Sequence, residues 1–367
     1  MINALNARLG GGQTYLINLL RHLPESSSLE LLVYAPESLA LPEDPRIKRL
    51  KAAWPTTNPL TRSMWERFAL PRILRSRKID VLFCPGGIVA TRPPAGCLSV
   101  TMFRNMMPFD MTVRRAMPYG LQRLRNWLLE RVMLKSMASA SLVIFISEFA
   151  RGVIESRIRV RHAVTIPHGV PEIFRTADQD PARPSFLPAG DYLLYVSRFD
   201  LYKHHYQVVS AYGRLPTDLR RRHKLVLIGE NDMPEFVRVR ALIDELGLAD
   251  DVVILGAVKY FELPAAYKHA TLTLFASSCE NCPNILLEAL GAGRPVLSSS
   301  VQPMPEFGGD AVLYFDPREP DQIATAMLAI LQKPELARDL GRKAAERSYK
   351  YDWPKTADAT WQHILSL

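Results

Sequence analysis

Residues 271–300 read TLTLFASSCENCPNILLEALGAGRPVLSSS. Thr271–Phe275 mixes β-branched and large apolar residues, which predicts a strand. Pro283 and Asn284 stand where a helix begins, and Gly291 and Gly293 where one ends, so a helix is predicted over Ile285–Ala292. Pro295–Ser299 predicts the next strand. A strand, a helix and a strand in close succession belong to a parallel sheet covered by helices.

The same alternation fills almost the whole chain. Before it, strands are predicted at Tyr192–Ser197, Lys224–Gly229 and Val252–Leu255, with one after it at Ala311–Phe315. Helices fall near Tyr202–Gly213, Pro234–Leu246 and Glu262–His269, then at Pro320–Gln332, Pro334–Tyr349 and Trp353–Leu365. A Pro-rich stretch, residues 178–190, reads as a linker. Ahead of it a second alternation has strands at Ile2–Leu5, Leu29–Ala35, Ile79–Cys84, Cys97–Phe103, Ser141–Ile146 and Ala163–Ile166. Its helices lie near Gln13–His22, Thr61–Lys78, Tyr119–Met137 and Glu148–Ser156. The fold class is α/β: two doubly wound parallel-sheet units, each binding at the carboxyl ends of its strands.

The chain has 367 residues, 48% hydrophobic and 23% charged, a globular composition of about two domains. No apolar run is long enough to span a bilayer, and the N-terminus lacks the pattern of a secretory signal. Four cysteines make no disulfide framework, so a cytoplasmic protein is expected. Net charge is +9, unevenly spread. Residues 1–180 hold 25 Lys+Arg against 14 Asp+Glu, whereas the remainder holds 21 against 23. The basic front half favours an anionic partner.

Three places could carry chemistry. Gly10, Gly11 and Gly12 follow the first strand and open an apolar helix; such glycines let backbone approach a phosphate or sugar. A tight strand–helix turn is the alternative. Arg198 and Lys203 flank a strand end and a helix start, a pairing that suits a diphosphate unless both are solvated. Glu280 and Glu288 flank the predicted helix start. There the N–H groups of Asn284, Ile285 and Leu286, with both carboxylates, could hold one sugar-bearing ligand. Taken alone, two glutamates at this spacing can equally be solvated.

The stretch Ser277–Val296 resembles the two-glutamate signature of glycosyltransferase family 4, the retaining nucleotide-sugar transferases of the GT-B fold. Supporting motifs are the early glycines, Ser147-Glu148-Phe149-Ala150, Pro167-His168-Gly169-Val170, Arg198 with Lys203, Phe315-Asp316-Pro317 and Tyr351-Asp352-Trp353. The resemblance implies an acceptor-side domain over 1–177, the linker 178–190, a donor-binding domain over 191–350, and a last helix, 351–367, that returns to the first domain. It implies that Glu280 holds the transferred sugar, Glu288 the donor ribose, and Arg198 with Lys203 the departing diphosphate, without a metal. Gly11, Gly12 and the backbone near Val258 would also touch the donor. The donor would be a UDP- or GDP-sugar, the acceptor a glycan or lipid-linked glycan of a surface polysaccharide. No cofactor and no nucleic acid are expected.

This chain departs from the family pattern in having Lys203-His204 where Lys-Gly is frequent, and Asn281-Cys282-Pro283 in place of a Gly-Phe-Gly loop. Where many members carry a donor-facing His near the end of a front-domain strand, this chain reads Thr101-Met102-Phe103-Arg104-Asn105-Met106, and Arg104 and Asn105 are the acceptor-side candidates for its place. A nucleotide-sugar epimerase of the same fold and a catalytically silent basic binding protein are the competing readings.

Asp178-Gln179-Asp180 matches a metal-binding Asp-x-Asp but opens the linker, which points to chance. Cys279 and Cys282 lack a second ligand pair for zinc. His168 reads as structural, and His204, His205 and His269 as surface residues. From Arg114 to Lys135, six cations interleave with apolar residues. Leu121, Leu124 and Leu128 share a helix face, read as the core face. The segment is then either a buried stripe with a basic back or, through Arg114, Arg115, Arg123 and Arg125, a patch resting on anionic lipid at the inner membrane face.

Overall fold

The computed structural model describes residues 1–8, 10–25, 29–54, 56–116, 120–175 and 181–367. The chain divides into two compact units, residues 1–169 with 353–367, and residues 170–352.

Unit 1 alternates β1 (Ile2–Asn3), α1 (Gly11–Arg21), β2 (Leu31–Tyr34), β3 (Ile47–Leu50), α2 (Pro59–Phe68), α3 (Leu70–Ser76), β4 (Val81–Cys84), β5 (Leu98–Phe103), α4 (Met111–Ala116), α5 (Leu121–Ser139), β6 (Leu142–Phe145), α6 (Glu148–Glu155) and β7 (Ala163–Thr165). All pairings are parallel, in the order β3-β2-β1-β4-β5-β6-β7. Central strands such as Leu142–Phe145 are buried at every position, as a sheet covered on both faces requires.

Unit 2 runs β8 (Asp191–Val196), α7 (His205–Gly213), α8 (Thr217–Arg222), β9 (His223–Ile228), α9 (Pro234–Glu245), β10 (Val252–Gly256), α10 (Leu263–His269), β11 (Leu272–Phe275), α11 (Asn284–Gly291), β12 (Val296–Ser299), α12 (Met304–Gly308), β13 (Leu313–Phe315), α13 (Pro320–Gln332) and α14 (Pro334–Ser348). Its sheet is again all parallel, in the order β10-β9-β8-β11-β12-β13. Tyr195, Phe199, Val208, Leu225, Leu274 and Met327 belong to one buried cluster between sheet and helices; each such large apolar side chain contributes about 1.5–3 kcal/mol on burial.

The last helix, α15 (Trp353–Leu365), belongs to unit 1. Tyr15 meets the Trp353 ring edge-on at 6.1 Å, and Trp361 Nε1 donates to Leu19 O at 3.1 Å. His168 is buried in this aromatic group, its ring 5.4 Å from Trp353 and 5.5 Å from Tyr15.

Two doubly wound parallel sheets were expected and are present. The division between units falls at Gly169/Val170, ahead of the 177/178 boundary. Val170 N donates to Tyr351 O at 3.0 Å, and Arg175 pairs with Asp352 at 3.0 Å, which fastens residues 170–175 to unit 2. Of the expected linker, residues 178–180 lie outside the described residues. Residues 181–190 lie against unit 2, where Arg183 covers the Tyr192 ring.

The helix expected over Thr61–Lys78 is two helices, because Pro71 at the start of α3 has no N–H to continue α2. The edge strand β3 and the short helices α4, α8 and α12 were not expected. Neither was the orientation of α5. Its buried residues are Asn126, Met133, Ser136 and Met137, whereas Leu121, Leu124 and Leu128 face away from the unit. No helix among the described residues is long and apolar enough to cross a membrane.

Candidate functional site

In a doubly wound sheet, a crevice opens at the carboxyl ends of the two strands where the order reverses. In unit 2 these are β8 and β11, neighbours paired from Leu193/Leu272 to Tyr195/Leu274. The loop after β8 carries Arg198 and Lys203, and the loop after β11 carries Glu280. The loops are joined at the backbone, Ser278 N donating to Tyr202 O at 2.9 Å. Beside that joint, Lys203 Nζ donates to Glu280 Oε1. The two side chains are only 10% and 16% exposed. The ammonium also lies 5.3 Å from the Phe275 ring centre and 5.4 Å from that of Tyr202. Tyr195 Oη fixes the turn by donating to Lys203 O at 2.5 Å.

The turn after Lys203 needs a left-handed residue, and His204 supplies it with φ 53° and ψ 35°. Glycine adopts this conformation at no steric cost; histidine does not. The His204 ring compensates, its Nε2 lying 2.8 Å from Ser278 Oγ. Burial, then the charge of Arg318, lowers the His204 pKa to about 4, so the ring is neutral at pH 7. His205 is fully buried, stacked 4.2 Å from Phe199, and burial followed by Lys203 lowers its pKa to about 3. His269 is partly buried with Nε2 2.7 Å from Pro181 O. None of these three is the simple surface histidine expected.

Arg198 does not join Lys203 on Glu280. Its side chain is half exposed, with Nε 3.1 Å from Glu230 Oε2 and Nη2 3.9 Å from Asp232 Oδ1. The cause is the path of the chain after β9. A Cβ on Gly229 would stand 1.9 Å from Ser197 O, so this backbone passes directly against the end of β8 and delivers Glu230 to Arg198.

Glu288 lies in the second turn of α11 and is 7% exposed. Burial raises its pKa to about 7, opposed by the hydrogen bond that Tyr260 Oη donates at 2.9 Å. Tyr260 follows Val258 in the loop after β10, so that loop and Glu288 are linked. Asn284 and Ile285 are partly buried, and Leu286 is fully buried. The Asn284 N–H is already directed at Cys282 O, at 3.0 Å.

In unit 1, Gly10 has φ +60° and Gly11 and Gly12 open α1. A Cβ on Gly12 would stand 3.3 Å from Arg104 Nη1, so Arg104 reaches the glycine turn, where its guanidinium also lies 5.9 Å from the Tyr15 ring centre. Asn105 is exposed, and its Oδ1 accepts from Met107 N at 3.2 Å. Asp178 and Asp180 lie outside the described residues. Among the described residues, no three His, Cys, Asp or Glu side chains group so as to hold a metal ion.

The sequence reading overlooked His204 as a tether and Tyr260 as the partner of Glu288. The unusual Lys203-His204 pair was a usable signal for the first. Nothing in the sequence marked the second.

The family description "Glycosyltransferase Family 4" matches residues 9–172, and "Glycosyl transferases group 1" matches residues 178–347. The chain belongs to glycosyltransferase family 4. A curated relative, O-antigen chain mannosyltransferase B of Escherichia coli, is 26% identical over 242 residues, 63% of this chain and 62% of that protein. The chain spans about half the length of the curated relatives it matches. Among solved structures, sucrose-phosphate synthase from Thermosynechococcus elongatus aligns with TM-score 0.77 at 19% identity, over 100% of this chain and 98% of that one. HepE from Anabaena, solved in complex with UDP, aligns with TM-score 0.74 at 16% identity, over 100% and 99%. These likenesses establish the GT-B fold of the family.

Proposed function

We propose that this family 4 member is a retaining, metal-independent glycosyltransferase that moves a hexose-type sugar from a nucleoside diphosphate to a hydroxyl of a glycan or lipid-linked glycan. The observation that carries the proposal is the buried Lys203–Glu280 pair, with Glu288 close to the start of the helix that follows Glu280. Lys203 and Glu280 neutralise each other. A donor diphosphate would draw Lys203 to its own oxygens, and the sugar hydroxyls would then occupy Glu280. The ribose would donate to Glu288 in place of Tyr260. Arg198, within reach of solvent, would trade Glu230 for the diphosphate.

Stabilising the departing diphosphate lowers the barrier to an oxocarbenium-like sugar, and a preorganised donor of this kind is typically worth ~10²–10³ in rate. Lys203 and Arg198 supply the positive charge that a divalent cation supplies elsewhere. Retention follows from the family resemblance. The likeness to HepE, solved with UDP, favours a UDP-sugar, and the likeness to an O-antigen mannosyltransferase favours a surface polysaccharide and leaves a GDP-sugar in contention.

The test is a screen of UDP- and GDP-hexoses for slow hydrolysis, with the anomeric configuration of the first released sugar read by proton NMR. Nucleoside diphosphate release from one donor with retained configuration is the expected result. No release and no nucleotide binding across the set would refute the reading, and inversion would refute its stereochemistry.

A further inference from the structure

Helix α5 wears its apolar side outward. Leu121, Leu124, Trp127, Leu128 and Val132 are 86%, 52%, 38%, 49% and 44% exposed, while Asn126 and Ser136 are buried. At 3.6 residues per turn, Leu121, Leu124, Leu128 and Val132 form one stripe roughly 80° wide and ~16 Å long. Arg125 borders one edge, Trp127 and Arg131 the other, and Lys135 extends the stripe. The Arg131 guanidinium sits 4.0 Å from the Trp127 ring centre. The helix has one acid, Glu130, and it is on the inner side, taken by Arg114 at 2.5 Å and Arg157 at 2.9 Å. No acid of the helix therefore offsets the cations of the outer face.

We propose that the outer face of α5 is a docking surface for an anionic lipid bilayer. Water is a poor environment for such a stripe, since monomeric proteins rarely leave large apolar residues contiguous on the surface. A second copy would bring Arg125, Arg131 and Lys135 against their own kind. A nucleic acid would satisfy the cations but not the leucines. A bilayer satisfies both: phosphate headgroups take the cations, the acyl boundary takes Leu121, Leu124 and Leu128, and Trp127 sits at the level between. Arg114, tied to Glu130 and mostly buried, is not part of this surface. The proposal does not depend on the transfer chemistry.

The experiment is co-sedimentation of the full-length protein with phosphatidylcholine vesicles, with and without phosphatidylglycerol. Wild type is expected to bind only the anionic vesicles and to be released by high salt. Leu124→Ser/Leu128→Ser and, separately, Arg125→Ser/Arg131→Ser should each lower the partition coefficient roughly tenfold or more. All four side chains lie outside the candidate site, so far-UV circular dichroism and nucleotide binding should be unchanged. Indifference of wild type to anionic vesicles at low salt overturns the proposal. Binding retained by the leucine pair variant also overturns it, and would move the surface to α2, where Leu60, Met64 and Phe68 form another exposed stripe. A solution dimer that dissociates on Leu124→Ser/Leu128→Ser would assign the face to a second copy and overturn it too.

Discussion

Lys203 and Glu280, 77 positions apart, neutralise each other at the carboxyl edge of the second sheet, where neither side chain has much access to water. Removing one member leaves the other as a buried, uncompensated charge. Lys203→Ala is therefore expected to lose about 3 kcal/mol of stability, and turnover by ~10²–10³. The double variant Lys203→Met/Glu280→Gln should regain most of the stability and none of the turnover. Urea denaturation and donor consumption measure the two effects; a Lys203→Ala enzyme with normal turnover refutes the assignment.

Glu288 predicts a pH dependence. Its folded-state pKa is raised from 4.5 to about 7, so between these values the folded chain holds a proton that the unfolded chain has lost. Stability falls as pH rises through that window, by about 3 kcal/mol when complete. Glu288→Gln removes the loss, so its stability relative to wild type should rise from about pH 5 to about pH 8. In the proposed complex, ribose hydroxyls donate to the ionised carboxylate. Donor affinity should thus increase through neutrality in wild type and lie flat, and weak, in Glu288→Gln. Titration calorimetry at several pH values is the measurement.

His204 sets the backbone against the side chain. Glycine at this left-handed position would relieve about 1 kcal/mol but drop the bond to Ser278; alanine would keep the strain and drop the bond as well. The expected order of stability is Gly equal to or above His, with Ala lowest. Both variants should lose kcat with little change in KM, because the tether holds the Lys203 turn to the Glu280 loop. A His204→Gly enzyme at full kcat would show that the tether positions nothing.

Donor turnover should persist in excess EDTA, since two cations face the diphosphate in the proposed reaction. Complete loss, restored by manganese, would implicate an acidic pair such as Asp178 and Asp180.

The strands and their parallel sense were legible because covered strands such as Leu142–Phe145 are uninterrupted apolar runs. The edge strand Ile47–Leu50 was not, because an edge needs no such run and Lys48 and Arg49 interrupt it. Periodicity located the leucine stripe of α5 but not its direction. A stripe marks two sides of a helix, and which side meets the sheet depends on partners such as Val89, whose N–H donates to Ser136 Oγ at 3.2 Å. The motifs put Lys203 and Glu280 at strand ends and Glu288 in the helix that follows Glu280. They could not reveal that Glu230 draws Arg198 aside, because that neighbour comes from a different strand.

Helix α15 closes the core of unit 1 from the far end of the chain: Thr360 Oγ1 lies 3.3 Å from Tyr15 Oη. During translation at ~5–20 residues per second, all of unit 2 emerges between these partners, an interval of roughly 10–40 s. Unit 2 is an unbroken segment and can complete its own core as it leaves the ribosome. Unit 1 must hold Tyr15 and His168 uncovered until Trp353 arrives. The half of the protein made first is the half that finishes folding last.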